Sequence, residues 1–146
     1  MTKSSSAHRG YQRLLRERSH IKKIVLEIIP HSSQRYETVG DWKFEEDGTL
    51  KISVSEMSNG RYEQCVQVHE LIEVLLCRLR GITQKQVDDF DMEYERNRKP
   101  GDESEPGDHK DAPYRREHFF ATTVERMLAA ECGIDWEAYD KEINAL

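Results

Sequence analysis

The sequence contains few cysteines, and their spacing fits neither a disulfide framework nor a metal-binding knuckle. Cys65, Cys77 and Cys132 are odd in number and lie far apart, and no CxxC pair occurs. We therefore expect three buried, reduced thiols. The sequence also lacks a glycine-rich phosphate loop and a Gly-x-Ser-x-Gly elbow, so nothing in it supports P-loop or serine-hydrolase chemistry.

Long hydrophobic runs are absent as well. No apolar stretch approaches the roughly 18 residues of a membrane span, and the first ten residues, MTKSSSAHRG, lack the apolar core of a signal peptide. We therefore expect a soluble, cytoplasmic protein. A length of 146 residues is typical of a single domain.

Charge is plentiful but unevenly distributed. The hydrophobic share is 36%, the charged share is 34%, and the formal net charge is −6. Residues 1–23 contain seven basic residues and one acidic residue, so the rest of the chain carries a net charge of −12. An acidic body repels nucleic acid, which argues against a broad DNA- or RNA-binding face. The basic N-terminal segment is typical of a solvated helix or a flexible arm.

The first part of the chain predicts a small sheet. Residues 1–8 are polar and rich in serine, which indicates disorder, and residues 9–20 fit a short basic helix. Residues 24–29 are rich in β-branched side chains and end at Pro30, which favours a strand. Two further segments alternate between apolar and polar residues across the turn signal Asp47-Gly48, which predicts a hairpin. The alternating apolar positions are Trp42, Phe44, Leu50, Ile52 and Val54.

After Gly60 the apolar period changes from two to nearly four, which predicts helices. A first helix is expected over 61–80, with Gly81 as its C-cap. Thr83 and Gln86 have the spacing of a capping box that opens a second helix. A third helix is expected over 113–133, and Asp135 caps a fourth. The third helix is expected to bury Phe119, Phe120, Val124, Met127 and Leu128.

Strands followed by helices predict an α+β fold, in which three to four helices pack on one face of a sheet of about three strands. Residues 9–146 are expected to form this single domain. Residues 98–112 contain proline, glycine and many charges, which predicts an acidic, mobile loop.

The segment that carries chemistry is His69-Glu70-Leu71-Ile72-Glu73 on the first predicted helix. His69 and Glu73 are four residues apart, so both project from the same side of that helix. A histidine and a carboxylate on an apolar face need a partner, because burying an unpaired charge is costly. A metal ion is one such partner. Glu70 lies about 100° around the helix from His69, where it reaches a metal-bound water rather than the metal.

The third predicted helix offers further ligands. His118, Thr122 and Glu125 lie at positions i, i+4 and i+7 and form a polar line on a helix whose other faces hold apolar residues (Phe119, Phe120, Val124 and Leu128). If the two helices pack face to face, His69 and Glu73 meet His118, with Glu125 as a fourth candidate ligand. Two histidines and a carboxylate form a reasonable Zn²⁺ shell with an open coordination position.

A strand followed by a helix bearing His-Glu-x-x resembles the active helix of the zincin metallopeptidases, whose motif is HExxH. The resemblance covers about five residues together with the strand-then-helix context. It implies that His69 is a zinc ligand and that Glu70 is the general base of a metal-dependent hydrolase or peptidase acting through a metal-activated water. Glu73 stands where the second histidine of the motif belongs. The C-terminal half, around 113–125, is similar to small uncharacterised phage proteins, and this similarity implies no activity.

Two other interpretations of these residues remain open. In the first, the same histidines and carboxylates form a metal-free structural network, with His69 bound to Glu125 and Glu73 paired with an arginine (Arg80, Arg115 or Arg116). The protein is then a non-enzymatic, phage-encoded accessory or protein-binding module. In the second, Glu70 and Glu73 form an ExxE pair for Mg²⁺, as in all-helical nucleotide pyrophosphohydrolases. No ExxD pair with the required spacing follows on the next helix.

Overall fold

The computed structural model of the protein describes residues 21–146 and shows the predicted α+β fold. The N-terminal stretch expected to be disordered (1–8) and the short basic helix (9–20) lie outside the described residues. Three strands are present: β1 (Lys23–Ile29), β2 (Gly40–Phe44) and β3 (Thr49–Ser55). Four helices follow: α1 (Gly60–Arg80), α2 (Gln84–Arg96), α3 (Arg115–Glu131) and α4 (Trp136–Ala145).

The sheet has the order β1-β3-β2. The predicted hairpin is confirmed, since β2 pairs antiparallel with β3 and Gly48 adopts a φ of 85° in the turn between them. Strand β1 pairs in parallel with β3 on its other side, in a register that sets Ile24 against Leu50. Sequence reasoning predicted the strand but not this parallel pairing. Strand β2, at the opposite edge, runs beside helix α1 and carries residues of the candidate site.

The core lies between β2–β3 and the helices. Leu50, Ile52 and Val54 are fully buried, and Trp42 is nearly so. Because laterally paired residues of neighbouring strands point to the same face, Ile24, Leu26 and Ile28 of β1 share this face. They are nevertheless exposed, so the helices cover β3 and β2 more completely than β1.

The helix boundaries follow the predicted signals. Gly81 has a φ of 77° and ends α1 in the left-handed conformation. The capping box at α2 is formed, because the Thr83 side chain accepts from the backbone of Gln86 and the Gln86 side chain accepts from the backbone of Thr83. The Asp135 carboxylate accepts from two backbone N–H groups at the start of α4.

Two predictions about burial are corrected. Phe119, Phe120 and Met127, expected in the core, are 43%, 55% and 66% exposed. Helix α3 instead turns polar and small residues inward, because its buried face packs closely against α1 around a set of charged side chains. That face consists of Glu117, His118, Ala121, Glu125 and Ala129. Cys65 and Cys77 are buried free thiols, as expected, whereas Cys132 is only half-buried.

Candidate metal centre

Helices α1 and α3 bring together the side chains that the sequence singled out. His69, Glu73 and His118, called here the His–Glu triad, are 7%, 5% and 5% exposed. Nε2 of His69 lies 3.2 Å from Nδ1 of His118 and 3.4 Å from Oε2 of Glu73. Nδ1 of His118 lies 3.1 Å from the same Glu73 oxygen. Three potential ligand atoms from two helices therefore converge on one buried point.

The spacing of these atoms suits a small tetrahedral cation. Bonds of about 2.0–2.2 Å separate the ligand atoms of such an ion by about 3.3–3.6 Å. The three distances in the triad, 3.1–3.4 Å, fall at or just below this range. Two imidazole nitrogens and one carboxylate oxygen are also a donor set that suits Zn²⁺. The triad can thus hold a metal ion with only small outward shifts of its side chains.

The ring nitrogens that face away from the triad are each held by carboxylates. Nδ1 of His69 lies 2.8 Å from Oε2 of Glu125, whose other oxygen accepts a hydrogen bond from Tyr139 Oη. Glu125, predicted as a fourth ligand, therefore lies on the far side of the His69 ring, outside the triad. The spacing in the sequence predicted the correct helix face for Glu125. However, Glu125 lies two helical turns beyond His118, so its carboxylate contacts the outer nitrogen of His69 and not the point where the triad atoms converge.

His118 is held in the same manner by residues of the segment 98–112, which was expected to be an acidic, mobile loop. Its Nε2 lies 3.0 Å from Glu105 and 3.5 Å from Asp108, whose carboxylates are half exposed. These three groups also lie close enough to hold a cation. In proteins, a metal-ligating histidine characteristically donates its other N–H to a carboxylate, which fixes the ring. The positions of Glu105 and Asp108 match that supporting role.

Part of the segment expected to be a mobile loop, 98–112, is packed against the triad. Pro106–Asp108 forms a 3₁₀ turn, and Gly107 within it is buried. A Cβ atom added at Gly107 would lie 2.5 Å from Nδ1 and 2.7 Å from Cδ2 of His118. Only glycine allows this turn to lie directly on the imidazole ring.

Burial and neighbouring charges shift the pKa values of the two histidines in opposite directions. Burial alone lowers the pKa of His69, but the carboxylates of Glu125 and Glu73 outweigh it and raise the pKa to about 10. Burial likewise lowers the pKa of His118, and Asp108, Glu105 and Glu73 raise it to about 12. Without a metal ion, the surrounding carboxylates therefore favour the protonated forms of these rings.

Glu73 shows the complementary effect. Burial favours its neutral form, but hydrogen bonds with His118 and His69 lower its pKa to about 2. The Trp42 indole also donates a hydrogen bond of 3.2 Å to its second oxygen. Glu73 thus pairs with histidines, and Arg80, one of the arginines considered for it, binds Glu117 instead.

Glu70 occupies a different environment from Glu73. Its carboxyl group lies against Gly40 of β2, where an added Cβ would come within 2.8 Å of Glu70 Cδ and of Val66 Cγ1. No hydrogen bond between described residues holds this carboxyl group. Burial and the charge of Glu73 raise its pKa well above the usual value for a glutamate. A carboxyl group with a raised pKa beside a candidate metal centre is suited to proton transfer.

A cavity of about 290 Å³ opens beside these groups and is lined by Glu70 and the whole triad. Its wall also includes Trp42 of β2, Asp91 of α2 and the tyrosines Tyr36 and Tyr114. Asp91 follows Asp88 and Asp89 in an acidic run of α2, yet it is only 7% exposed. The signal that could have found it is its spacing of four from Val87, a buried residue of the same helix.

Comparison of the chain with models of protein families, with curated proteins and with solved structures gives no match. Within residues 21–146, none of the helices has the length and apolar character needed to cross a membrane.

Proposed function

We propose that the protein is a metal-dependent hydrolase whose His–Glu triad holds a divalent cation, with Zn²⁺ as the best fit. The observation that carries this proposal is the spacing of the three buried donor atoms, which lie 3.1–3.4 Å apart around one point. The carboxylates on the outer ring nitrogens support it, because they fix both imidazoles with one nitrogen directed inward.

A divalent ion bound at the triad supplies Lewis-acid chemistry, polarising a substrate carbonyl and acidifying a water molecule. The residues of the chain have separate roles around it. His69, Glu73 and His118 hold the ion, while Glu125, Glu105 and Asp108 orient the two rings. Glu70, which lines the same cavity without a hydrogen-bond partner among the described residues, accepts the proton of the attacking water. This division of roles matches the one that the zincin resemblance implies.

A glutamate at position 73, where the zincin motif has its second histidine, changes the net charge of the site. A neutral imidazole in that position would leave the full charge of a divalent ion, whereas Glu73 cancels half of it. The indole of Trp42 donates to the Glu73 oxygen that does not face His118. That hydrogen bond leaves Oε2 directed at the convergence point, so one carboxylate oxygen takes the place of the missing histidine nitrogen.

The test is the substitution Glu70→Gln, with Glu131→Gln on the exposed side of α3 as the matched control. Both variants should bind the same amount of Zn²⁺ as the parent. Hydrolysis of a panel of fluorogenic peptides and esters should fall by about 100-fold or more in Glu70→Gln alone, because a general base contributes about 10²–10⁴-fold. Equal hydrolysis by parent and Glu70→Gln would contradict the assigned role.

One observation favours a second candidate, in which the protein is a non-enzymatic accessory or protein-binding module of phage origin. Each ring nitrogen of His69 and His118 already has a protein partner within hydrogen-bonding distance. Hydrogen bonds and ion pairs between these rings and the surrounding carboxylates can hold α1 and α3 together without a metal ion. In that case the protein is purified without metal and a chelator leaves its melting temperature unchanged.

A further inference from the structure

The cavity beside the triad is strongly acidic. The described residues that line it include eleven carboxylate side chains and one arginine, Arg98. The two histidines of the triad are too few to cancel an excess of this size, whatever their protonation state. A concave, low-dielectric wall of one sign concentrates the field inside it, so the cavity attracts groups of positive charge.

Part of this acidity is already balanced within the fold. Arg35 donates to Asp41 at 2.7 Å and to Asp88 at 3.0 Å, and therefore neutralises one edge of the cavity. Arg98 binds Glu95 at 2.6 Å at another edge. Among residues 21–146, these pairs leave no unpaired lysine or arginine in the lining of the cavity.

Asp91 is the buried carboxylate that remains unbalanced. Its partners are two tyrosine hydroxyls, with Tyr114 Oη at 2.5 Å and Tyr36 Oη at 3.2 Å. No lysine or arginine among residues 21–146 forms an ion pair with it. Burial and the charge of Glu73 raise the pKa of Asp91 to about 7, and a positively charged ligand beside it would favour the ionised carboxylate.

The aromatic side chains around Asp91 suit the same kind of ligand. Tyr36, Tyr114 and Trp42 all line the cavity, so a cation beside Asp91 lies among aromatic rings. The electron-rich faces of such rings attract ammonium and guanidinium groups. A volume of about 290 Å³ is at the small end of ligand pockets, and it suits one side chain or a small molecule rather than a large ligand.

We propose that this cavity is a subsite for a cationic group, a primary ammonium or a guanidinium, with Asp91 as its counter-ion and Tyr36, Tyr114 and Trp42 as its walls. If the bound group belongs to a substrate, the protein cleaves beside a lysine or arginine side chain, and this part of the proposal rests on the proposed hydrolase function. The binding of a cationic group in the cavity does not depend on that function.

Isothermal titration calorimetry of the full-length protein tests the binding directly. The probes are Nα-acetyl-arginine amide and Nα-acetyl-citrulline amide, which have nearly the same shape but differ in charge. The arginine probe should bind at least tenfold more tightly, because only this probe places a positive charge beside the Asp91 carboxylate. Raising the salt concentration should reduce this difference. Equal binding of the two probes, or binding of neither, would overturn the proposal.

The substitution Asp91→Asn tests the counter-ion, since asparagine keeps the shape of the side chain while its oxygen accepts from one tyrosine and its NH2 group donates to the hydroxyl oxygen of the other. The matched control is Asp89→Asn, because Asp89 lies on the same helix but is exposed and paired with Lys85 at 2.7 Å. Asp91→Asn should remove the preference for arginine over citrulline, and Asp89→Asn should keep it. A preference that survives Asp91→Asn in a folded variant would overturn the role of Asp91. If Asp91→Asn does not fold, the comparison of the two probes on the parent still decides the proposal.

Two further arms identify the source of the cation and separate this proposal from the hydrolase proposal. Spermidine binding more tightly than the arginine and lysine amides would indicate a free polyamine, and the reverse order would indicate a peptide side chain. The titrations are repeated with and without one equivalent of Zn²⁺. Arginine binding in a protein that takes up no Zn²⁺ would retain the cation subsite and refute the metal centre. Zn²⁺ uptake together with equal binding of the arginine and citrulline probes would retain the metal centre and refute the cation subsite.

Discussion

The substitution Gly107→Ala should disturb the candidate metal centre through a residue that is not itself a ligand. Gly107 lies in the 3₁₀ turn directly on the His118 ring. The added methyl group would lie 2.5 Å from Nδ1 and 2.7 Å from Cδ2, where ordinary contacts begin at 3.4 Å. Either the turn or the ring must therefore move by about 1 Å to relieve the overlap.

Two effects of this displacement can be given magnitudes. Inserting a methyl group into a well-packed interior costs about 1–3 kcal/mol of unfolding free energy. Moving the ring also separates Nε2 of His118 from Glu105 and Asp108, and loss of such outer contacts lowers metal affinity by about 10–100-fold. We therefore expect Gly107→Ala to weaken Zn²⁺ binding by one to two orders of magnitude while the protein stays folded.

Urea unfolding of EDTA-treated protein measures the first effect, and competition with a coloured chelator measures the second. Gly60→Ala is the control, because the nearest atom to its added Cβ is 3.7 Å away at the start of α1. That substitution should be neutral or stabilise by up to about 1 kcal/mol and should leave Zn²⁺ affinity unchanged. Unchanged Zn²⁺ affinity in a destabilised Gly107→Ala variant would refute the reasoning, since His118 would then be a structural residue only.

Three further predictions follow from the same contacts. His69→Ala should lower the melting temperature in differential scanning fluorimetry. EDTA should lower the melting temperature of the parent but not of the variant, because ligand binding stabilises the folded state by RT ln(1 + [L]/Kd). Equal responses of the two proteins to EDTA would contradict this prediction. In the metal-free protein, the pKa values of His69 and His118 lie above the unfolded value of 6.5, so the stabilisation from each ring is complete below that pH and is lost as pH rises through about 10 for His69 and about 12 for His118. Urea midpoints of EDTA-treated protein should therefore fall from about pH 7 to 10, and a flat profile would count against the imidazolium assignment. Gly40→Ala should destabilise the protein by about 1–3 kcal/mol through overlap with Glu70 and Val66 while Zn²⁺ content stays the same; a loss of Zn²⁺ would place Glu70 among the ligands.

Helical periodicity was sufficient to predict most of the triad. The spacing of His69 and Glu73 puts both on one face of α1, and the polar line that begins at His118 identified the partner helix. The α+β order and the hairpin were predictable for a similar reason, since the apolar period changes from two to nearly four at Gly60. These features depend on local patterns that the chain repeats over several residues.

The residues that support the triad could not be predicted in this way. Glu105 and Asp108 lie in a segment without periodicity, so only the folded backbone shows that Gly107 brings them to His118. The inner face of α3 was also misjudged, because apolar residues were expected to fill it. The ion pairs at this interface turn the charged residues inward, and Phe120 is left outside.

The most direct test of the metal centre is the metal content of untagged protein purified without a chelator, measured by inductively coupled plasma mass spectrometry. We predict about one Zn²⁺ per chain in the parent, since the three donors enclose one tetrahedral position. The same value is expected in His109→Ala, whose side chain is exposed and outside the triad, and almost none is expected in His69→Ala. A parent without stoichiometric metal, and unable to take it up on incubation with Zn²⁺, would contradict the metal centre and leave the His–Glu triad as a structural network.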